Sequence, residues 1–268
     1  MYELNIPGYD IKKVQQSIFT IAVEIDRICR KHQIKYSLEG GSMLGAYKYH
    51  SFVPWDDDMD IVMLRHDYDR FIEVCKSELD KERFYLQNYY TRKEYPLTWT
   101  KLCLNKTKII GGDYANLDMH HGLFVDIFPI DNVYPDKMNI QKSLVGVTKS
   151  ARFIKLGLMK AKGKKGVVQK MVSLLPMSLI NYMGEKAMRM NNGKKSEYAY
   201  EVCNPNTKFE PLPRCYFEEL TELEFCKHMF FVSAHYLEYL QSRFGDLTIE
   251  PPEAERYPTH GTNIVFYN

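Results

Sequence analysis

The chain has 268 residues, 45% hydrophobic and 13% aromatic, enough for one large domain or a domain carrying an insertion. Its net charge of +2 conceals segregation: residues 137–195 hold fourteen Lys/Arg against one acid, residues 196–268 five against twelve, and the remainder is about −4 by difference. The N-terminus lacks a basic region followed by an apolar run, and the longest apolar stretch, Val172 to Met183, is interrupted by Pro176. Neither a signal peptide nor a membrane span is therefore expected. Six cysteines without regular spacing predict reduced, mostly buried thiols, in a cytoplasmic protein that touches a membrane only at its surface.

In chain order, Ile11, Val14, Ile18, Ile21, Ile25 and Ile28 predict a helix over 10–32 with Asp10 as its cap. Ile34 to Leu38 alternates as a short strand ending at Gly40-Gly41-Ser42, and helical character resumes over Met43–Tyr49. Ser51 to Pro54 is a break. Asp56 to Met63 then runs from acid to apolar as a second strand, and Asp67 is placed to cap a helix through Leu79. Strand-like pieces follow near Phe84–Leu86 and Lys101–Leu104, and "HGLFVDIFPID" (121–131) is an apolar strand holding Asp126, with Asp131 as a turn residue after Pro129. The basic segment 137–195 is helical in pattern and punctuated by glycines. Residues 216–232 suggest a hairpin, Ser233 a cap for a helix stopping at Phe244-Gly245, and "IEPPEAERYPTHG" an extended tail.

Three of these strands carry something a core strand does not need. Side chains alternate along a strand, so Asp58 and Asp60 point the same way, about 6.6 Å apart at Cα, with Met59 and Ile61 turned to the opposite, buried face. Such a pair chelates or bridges a divalent cation, Mg²⁺ or Mn²⁺; without one, mutual repulsion raises a carboxyl pKa. Asp126, between Val125 and Ile127, repeats the apolar–acid–apolar grammar and offers a third ligand or a general base. Gly40 and Gly41 allow close backbone approach to an anion at the following helix N-terminus, and Ser42 adds a hydroxyl. A phosphate held there and a cation held by the acids describe a phosphoryl-transfer site. Asp56 and Asp57 read as positioning groups. An EF-hand is excluded, because its central Gly and closing Glu are missing.

A Gly-Gly-Ser turn, an Asp-hydrophobic-Asp strand and a later hydrophobic-Asp-hydrophobic strand resemble the nucleotidyltransferase fold pattern. More narrowly, "GGSMLGAYKYHSFVPWDDDMDIVM" with "HGLFVDIFPID" resembles the LicD family, related to fukutin-type proteins, and "YLQSRFGDLTIEPPEAERYPTH" is similar to that family's closing stretch. Ser51 stands where the family usually has a glycine, a mild departure, and 137–195 matches nothing named. The resemblance implies a metal-dependent phosphotransferase moving a phospho-alcohol, most characteristically phosphocholine from CDP-choline, onto a sugar hydroxyl of a cell-surface glycan precursor such as teichoic acid or lipopolysaccharide. The fold expected is α+β: a mixed, nucleotidyltransferase-like sheet flanked by helices, one catalytic domain over 1–268 with 137–195 inserted. Asp58, Asp60 and Asp126 would be catalytic and metal-binding, and Gly40, Gly41, Ser42, Lys48, Asp56 and Lys101 substrate-binding.

Plainer readings stand beside these. Lys101 either meets a donor phosphate or faces solvent, and Lys48 and His50 either contact phosphate or only line the loop. Tyr89, Tyr90, Tyr95 and Trp99 form either an aromatic box for a quaternary ammonium or, more simply, core, and His120-His121 reads as loop. The interleaved basic and apolar residues of 149–170 fit peripheral contact with anionic membrane, at the inner face, better than a plain solvated face. No nucleic-acid motif is recognisable. Alternative functions are a metal-dependent glycosyltransferase using Asp-Met-Asp, with too little chain before its acids, and a non-catalytic glycan- or membrane-binding relative, which the intact acid set argues against.

Overall fold

Asp10, in extended conformation, accepts a hydrogen bond from Lys13 N at 3.0 Å and starts α1 (Ile11–His32). The predicted isoleucine face is buried against the sheet, each side chain contributing about 1.5–3 kcal/mol. The computed structural model describes residues 6–159, 165–207 and 209–267. After α1 come β1 (Ser37–Leu38), α2 (Gly40–Tyr49), β2 (Asp60–Leu64), α3 (Arg65–Glu78), β3 (Phe84–Gln87), β4 (Thr100–Leu104), β5 (Thr107–Ile109) and β6 (Phe124–Val133). Helices α4 (Met138–Lys155), α5 (Lys165–Leu174) and α6 (Met177–Met188) occupy the basic segment. Then follow β7 (Tyr198–Tyr200), β8 (Leu212–Pro213), α7 (Cys215–Glu218), the hairpin β9 (Leu220–Phe225) and β10 (His228–Ser233), α8 (Tyr236–Phe244) and β11 (Ile264–Phe266).

The main sheet has the order β1-β2-β6-β4-β3, with β7 and β8 continuing along the far end of β6. Only β2 and β6 pair in parallel; β1, β4, β3, β7 and β8 join antiparallel, so the sheet is mixed and the architecture α+β. The chain from β2 to β6 passes through α3 and strands β3, β4 and β5, the long crossover that a parallel pair needs. A separate ladder joins β11 to β5, bringing the C-terminal tail back across the molecule. Helices α4 and α6 reach the main core through Met138, Val145, Ala187 and Met188. Among the described residues, no helix is long and apolar enough to cross a membrane.

Several boundaries differ from expectation. Gly40-Gly41-Ser42 is the first turn of α2 rather than a turn ahead of it, and β1 covers only Ser37–Leu38. Helix α3 starts before Asp67, whose carboxylate instead accepts from Lys35 N of the strand entry. Ser233 ends β10 and accepts from His235 N, the residue that caps α8.

Asp131 is a buried strand residue, not a turn. The Arg65 guanidinium grips it with two bonds, Nε to Oδ1 at 2.8 Å and Nη2 to Oδ2 at 2.6 Å. Pro129 is accommodated because it falls between the β4 pairing, which ends at Ile127, and the β7 pairing, which begins at Asp131. That buried pair ties the start of α3 to β6, and Glu185 of α6 approaches the same guanidinium at 3.8 Å.

His120 braces the loop before β6. Its Nδ1 accepts from Gly122 N at 3.0 Å and its Nε2 lies 3.0 Å from Asn105 Oδ1, so a neutral ring protonated on Nε2 satisfies both. Burial, then the charges of His121 and Arg92, push this imidazole down to about 4.

Two outcomes are expected. Asp131→Ala strands a buried guanidinium and lowers unfolding free energy by about 3–5 kcal/mol, read as a large drop in the urea midpoint. For His120, the unfolded ring binds a proton below about pH 6.5 and the folded one does not until about 4. Stability therefore falls as pH drops through that window, and histidine proton NMR of the native state should place the His120 inflection near 4, not near the free-imidazole value.

Candidate active site

Parallel pairing of β2 with β6 sets Asp60 opposite Asp126, and antiparallel pairing of β4 with β6 sets Lys101 opposite the same Asp126. Directly opposed residues share a face, so one row across the sheet reads acid, acid, lysine. Lys101 Nζ lies 3.1 Å from Asp126 Oδ1 and 3.2 Å from Oδ2, and Trp99 Nε1 donates to Oδ1 at 2.8 Å. Lys101 and Asp126 are both buried. Asp58 precedes the strand proper, yet the alternation holds: Asp57, Met59 and Ile61 are buried while Asp58 and Asp60 remain partly exposed. Asp126 N donates to Met59 O at 3.0 Å, which carries the β2–β6 pairing back toward Asp58.

Crowding of carboxylates shows in their titration. Burial first, then the charges of Asp58 and Asp126, drives the Asp60 carboxyl well above its ordinary range. Asp58 is raised by burial and by Asp57 and Asp126, with His260 and Lys101 opposing. Asp56 is pushed up to about 7, by burial ahead of Asp58 and Asp57. Two further acids face the same region: Glu39 and Glu201 are both raised, by burial and, for Glu201, by Glu39 and Asp126.

Helix α2 is stitched to this edge at its first turn. Asp60 N donates to Ser42 Oγ at 2.8 Å, and Glu39 N donates to Asp60 O at 3.0 Å. A Ser42 hydroxyl that accepts from Asp60 keeps its proton for another acceptor. A Cβ at Gly41 would stand 2.7 Å from Asp56 Oδ2, so any larger residue there would push the Asp56 carboxylate aside. The Glu39 carboxyl takes the Tyr239 hydroxyl of α8.

The C-terminal tail closes over the acids from the other side. Asp57 Oδ1 accepts from Thr259 N at 2.9 Å, both its oxygens accept from His260 N at 3.2 and 3.1 Å, and Tyr9 OH reaches Oδ2 at 3.4 Å. The His260 ring stands edge-on to Phe124, with Nδ1 3.4 Å from Asp57 and 3.6 Å from Asp58. Burial pulls that imidazole down, but the Asp57 hydrogen bond and the two carboxylate charges outweigh it, and its pKa is raised.

Asp58, Asp60, Asp126 and Lys101 thus share one face of the sheet, with the first turn of α2, Gly40 to Ser42, bonded beside Asp60. Lys48 lies at the other end of α2, 3.5 Å from Glu250 of the tail, and shares a cavity of ≈ 480 Å³ with Gly41, Asp56 and Trp55. Among the described residues, the His/Cys/Asp/Glu groups with ligand atoms mutually within 4.8 Å are Asp57–Asp58–His260 and Cys215–Glu219–His235; Asp58–Asp60–Asp126 is not one of them. Its all-carboxylate donor chemistry nonetheless suits a hard divalent cation, and the mutual repulsion is what such a cation relieves. Sequence reasoning missed Glu39, His260 and Glu201. The last was findable, since Tyr200-Glu201-Val202 repeats the apolar–acid–apolar grammar of Asp126. Of the four aromatics, Tyr89 and Tyr95 are core beside Trp99, Tyr90 is exposed, and His120 and His121 lie in a loop.

Residues 33–156 match the LicD/FKTN/FKRP nucleotidyltransferase domain family. The chain is 29% identical over 248 residues to the lipopolysaccharide cholinephosphotransferase LicD of Haemophilus influenzae, covering 87% of this chain and 89% of that protein. An uncharacterized protein of Rickettsia prowazekii is 25% identical over 107 residues, 30% of this chain and 40% of its own length. The matched span contains α2, β2, β4 and β6, the elements that build the acid row, while the likeness to the Haemophilus protein extends along most of the chain. By that match and that likeness, residues 33–156 resemble the LicD/FKTN/FKRP nucleotidyltransferase domain, and the chain as a whole is similar to a LicD protein.

Proposed function

We propose that this protein is a LicD-type phosphotransferase that moves a phospho-alcohol, phosphocholine from CDP-choline in the first instance, onto a sugar hydroxyl of a cell-surface glycan precursor such as lipopolysaccharide or teichoic acid. One observation carries the reading: the N-terminal turn of α2, an anion-binding element, is bonded to the Asp60 end of the acid row through Ser42. Phosphate recognition and the carboxylates are thereby held as one unit. The activity of the Haemophilus relative supports the choline donor and the lipopolysaccharide acceptor.

Asp58 and Asp60 would hold Mg²⁺ or Mn²⁺, with Asp126 shared between that site and Lys101. When bound, the cation neutralises the donor pyrophosphate and the charge gathering on the CMP leaving group. The Ser42 hydroxyl and the amides of Gly40 and Gly41 would donate to the phosphate, since Ser42 N and Met43 N already donate to Glu39 O, and Gly41 lets it approach the backbone. Lys101 supplies a fixed positive charge beside it. Asp126, oriented by Trp99 and Lys101, takes the acceptor proton as the new oxygen–phosphorus bond forms and the bond to CMP breaks. Lys48 and Asp56 serve the donor from the adjoining cavity. Residues 1–268 act as a single catalytic domain with 137–195 inserted.

The protein works in the cytoplasm against the inner face of a membrane. Of the proposed contact 149–170, residues 160–164 lie outside the described residues. Support comes from just beyond it, where Met171, Leu174, Leu179, Tyr182 and Met183 are exposed on α5 and α6 near Lys170 and Lys186.

Incubation with CDP-choline, Mg²⁺ and a lipopolysaccharide or teichoic acid acceptor should release CMP and label the acceptor; no CMP with any acceptor would sink the reading. Asp58→Ala and Asp60→Ala should each lower kcat by about 100-fold or more with an unchanged circular dichroism spectrum. Asp57→Asn weakens the grip on Thr259 and His260. It should speed proteolysis of the tail near Tyr257 and raise the donor KM several-fold while kcat falls less.

A further inference from the structure

A second cluster lies away from the acid row, where α7 meets the junction of β10 with α8. One ligand atom each from Cys215, Glu219 and His235 lies within 4.8 Å of the others, and His235 Nε2 is 3.0 Å from Glu219 Oε2. We propose that these three residues form a zinc site that clasps the open end of the β9–β10 hairpin, with water as fourth ligand. This site stands independently of the transfer reading.

The donor set is the first argument. One thiol, one imidazole and one carboxylate match the borderline-soft preference of Zn²⁺, whose bonds run about 2.3 Å to sulfur and about 2.0–2.2 Å to nitrogen or oxygen. A tetrahedron with those bonds sets its ligands about 3.4–3.6 Å apart, so the Glu219–His235 pair at 3.0 Å opens slightly and the thiol, no farther than 4.8 Å from either, moves in by about 1 Å at most. The hard-oxygen acid row, by contrast, suits Mg²⁺.

Pre-organisation is the second argument. Cys215 and Glu219 are separated by one helical turn, closed by the bond from Glu219 N to Cys215 O at 2.9 Å, so both face one side. Leu220 and Ser233 are the last register pair of the hairpin, and Ala234 N donates to Glu219 O at 2.8 Å just beyond it. Glu219 and His235 therefore flank the ladder's open end. The His235 ring is stacked on Tyr216, centroids 4.7 Å apart and planes within 8°, and the backbone N–H of His235 donates to Ser233 Oγ at 3.1 Å, which fixes the residue at the start of α8. An exposed Glu–His pair alone contributes little and needs neither a thiol at helical spacing nor a locked ring. The neighbouring cations are already engaged: Arg214 Nε meets Glu218 Oε1 at 2.6 Å, and Lys35 Nζ donates to Glu218 O at 3.0 Å.

Binding converts the Cys215 thiol to thiolate and releases its proton to solvent, so affinity falls in acid. The clasp joins α7 to the start of α8, the helix that brings Tyr239 to Glu39.

The test uses the full chain carrying Asp58→Asn and Asp60→Asn, which removes the acid pair as a competing site. Stripped of metal and titrated with Co²⁺, it should develop a thiolate-to-cobalt charge-transfer band saturating at one equivalent, and Zn²⁺ should abolish it. Cys215→Ser should lose the band, and His235→Gln or Glu219→Gln should weaken Zn²⁺ binding at least about tenfold. Zn²⁺ should raise the melting temperature of the parent and not of Cys215→Ser. No band, a band that survives Cys215→Ser, or equal Zn²⁺ stabilisation of both would overturn the proposal. If Cys215→Ser is misfolded by circular dichroism, the His235 and Glu219 variants decide by the same comparison.

Discussion

Everything at the acid row follows from one register: β2 runs parallel to β6 with Asp60 beside Asp126. Neighbouring strands lie about 4.8 Å apart, so two carboxylates face each other in a half-buried setting that a sheet ordinarily avoids. The apolar positions that follow, Ile61 to Leu64 against Ile127 to Ile130, hold the register in place, since a one-residue slip of β2 would turn Ile61 out and bury Asp60 among aliphatic side chains. Lys101 offsets one of the negative charges from the third strand and keeps Asp126 within reach of Trp99. The core thus stabilises an arrangement that would not form on its own account, as is common where a fold serves chemistry.

The elements around that row are attached to it by polar links of different kinds. Helix α2 is joined through the backbone of Asp60, the tail through the carboxylate of Asp57, and the helical segment through Arg65, whose buried partner Asp131 lies five residues beyond Asp126 on the same strand. Strand β6 is therefore the common beam: one end carries Asp126 of the acid row and the other carries the salt bridge that anchors α3 and α6. Movement of α6 relative to the sheet would be felt first at Asp131 and only then at Asp126.

Much of this was legible in the chain. Period 3.6 over Ile11–Ile28 and period 2 through Asp58–Ile61 identified a buried helix and a strand edge correctly, because burial on one face leaves a strong periodic mark. The LicD resemblance, carried by 40–63 and 121–131, brought the same residues to notice. What escaped were contacts between distant segments. Nothing local marks Asp57 as the anchor of residues two hundred positions later, or Glu39 as the partner of Tyr239. Asp131 was misread because a proline two residues earlier signals a turn, and the gap between two pairing partners that tolerates Pro129 exists only in the assembled sheet. Ser233 and Asp67 were misplaced by a residue or two, the usual fate of caps judged from composition.

Asp57 recognises the tail chiefly through the main-chain amides of Thr259 and His260 rather than through their side chains. Amides are common to nearly every residue, so position 259 is free to drift in sequence while the tail stays in place. Proline is the exception, for it has no N–H to offer. The restraint falls instead on the aspartate, whose charge makes it a stronger acceptor for two amides than the single neutral oxygen of an asparagine. Within the run of four acids, the one with no part in the proposed chemistry is therefore the one that gives the far end of the chain its address.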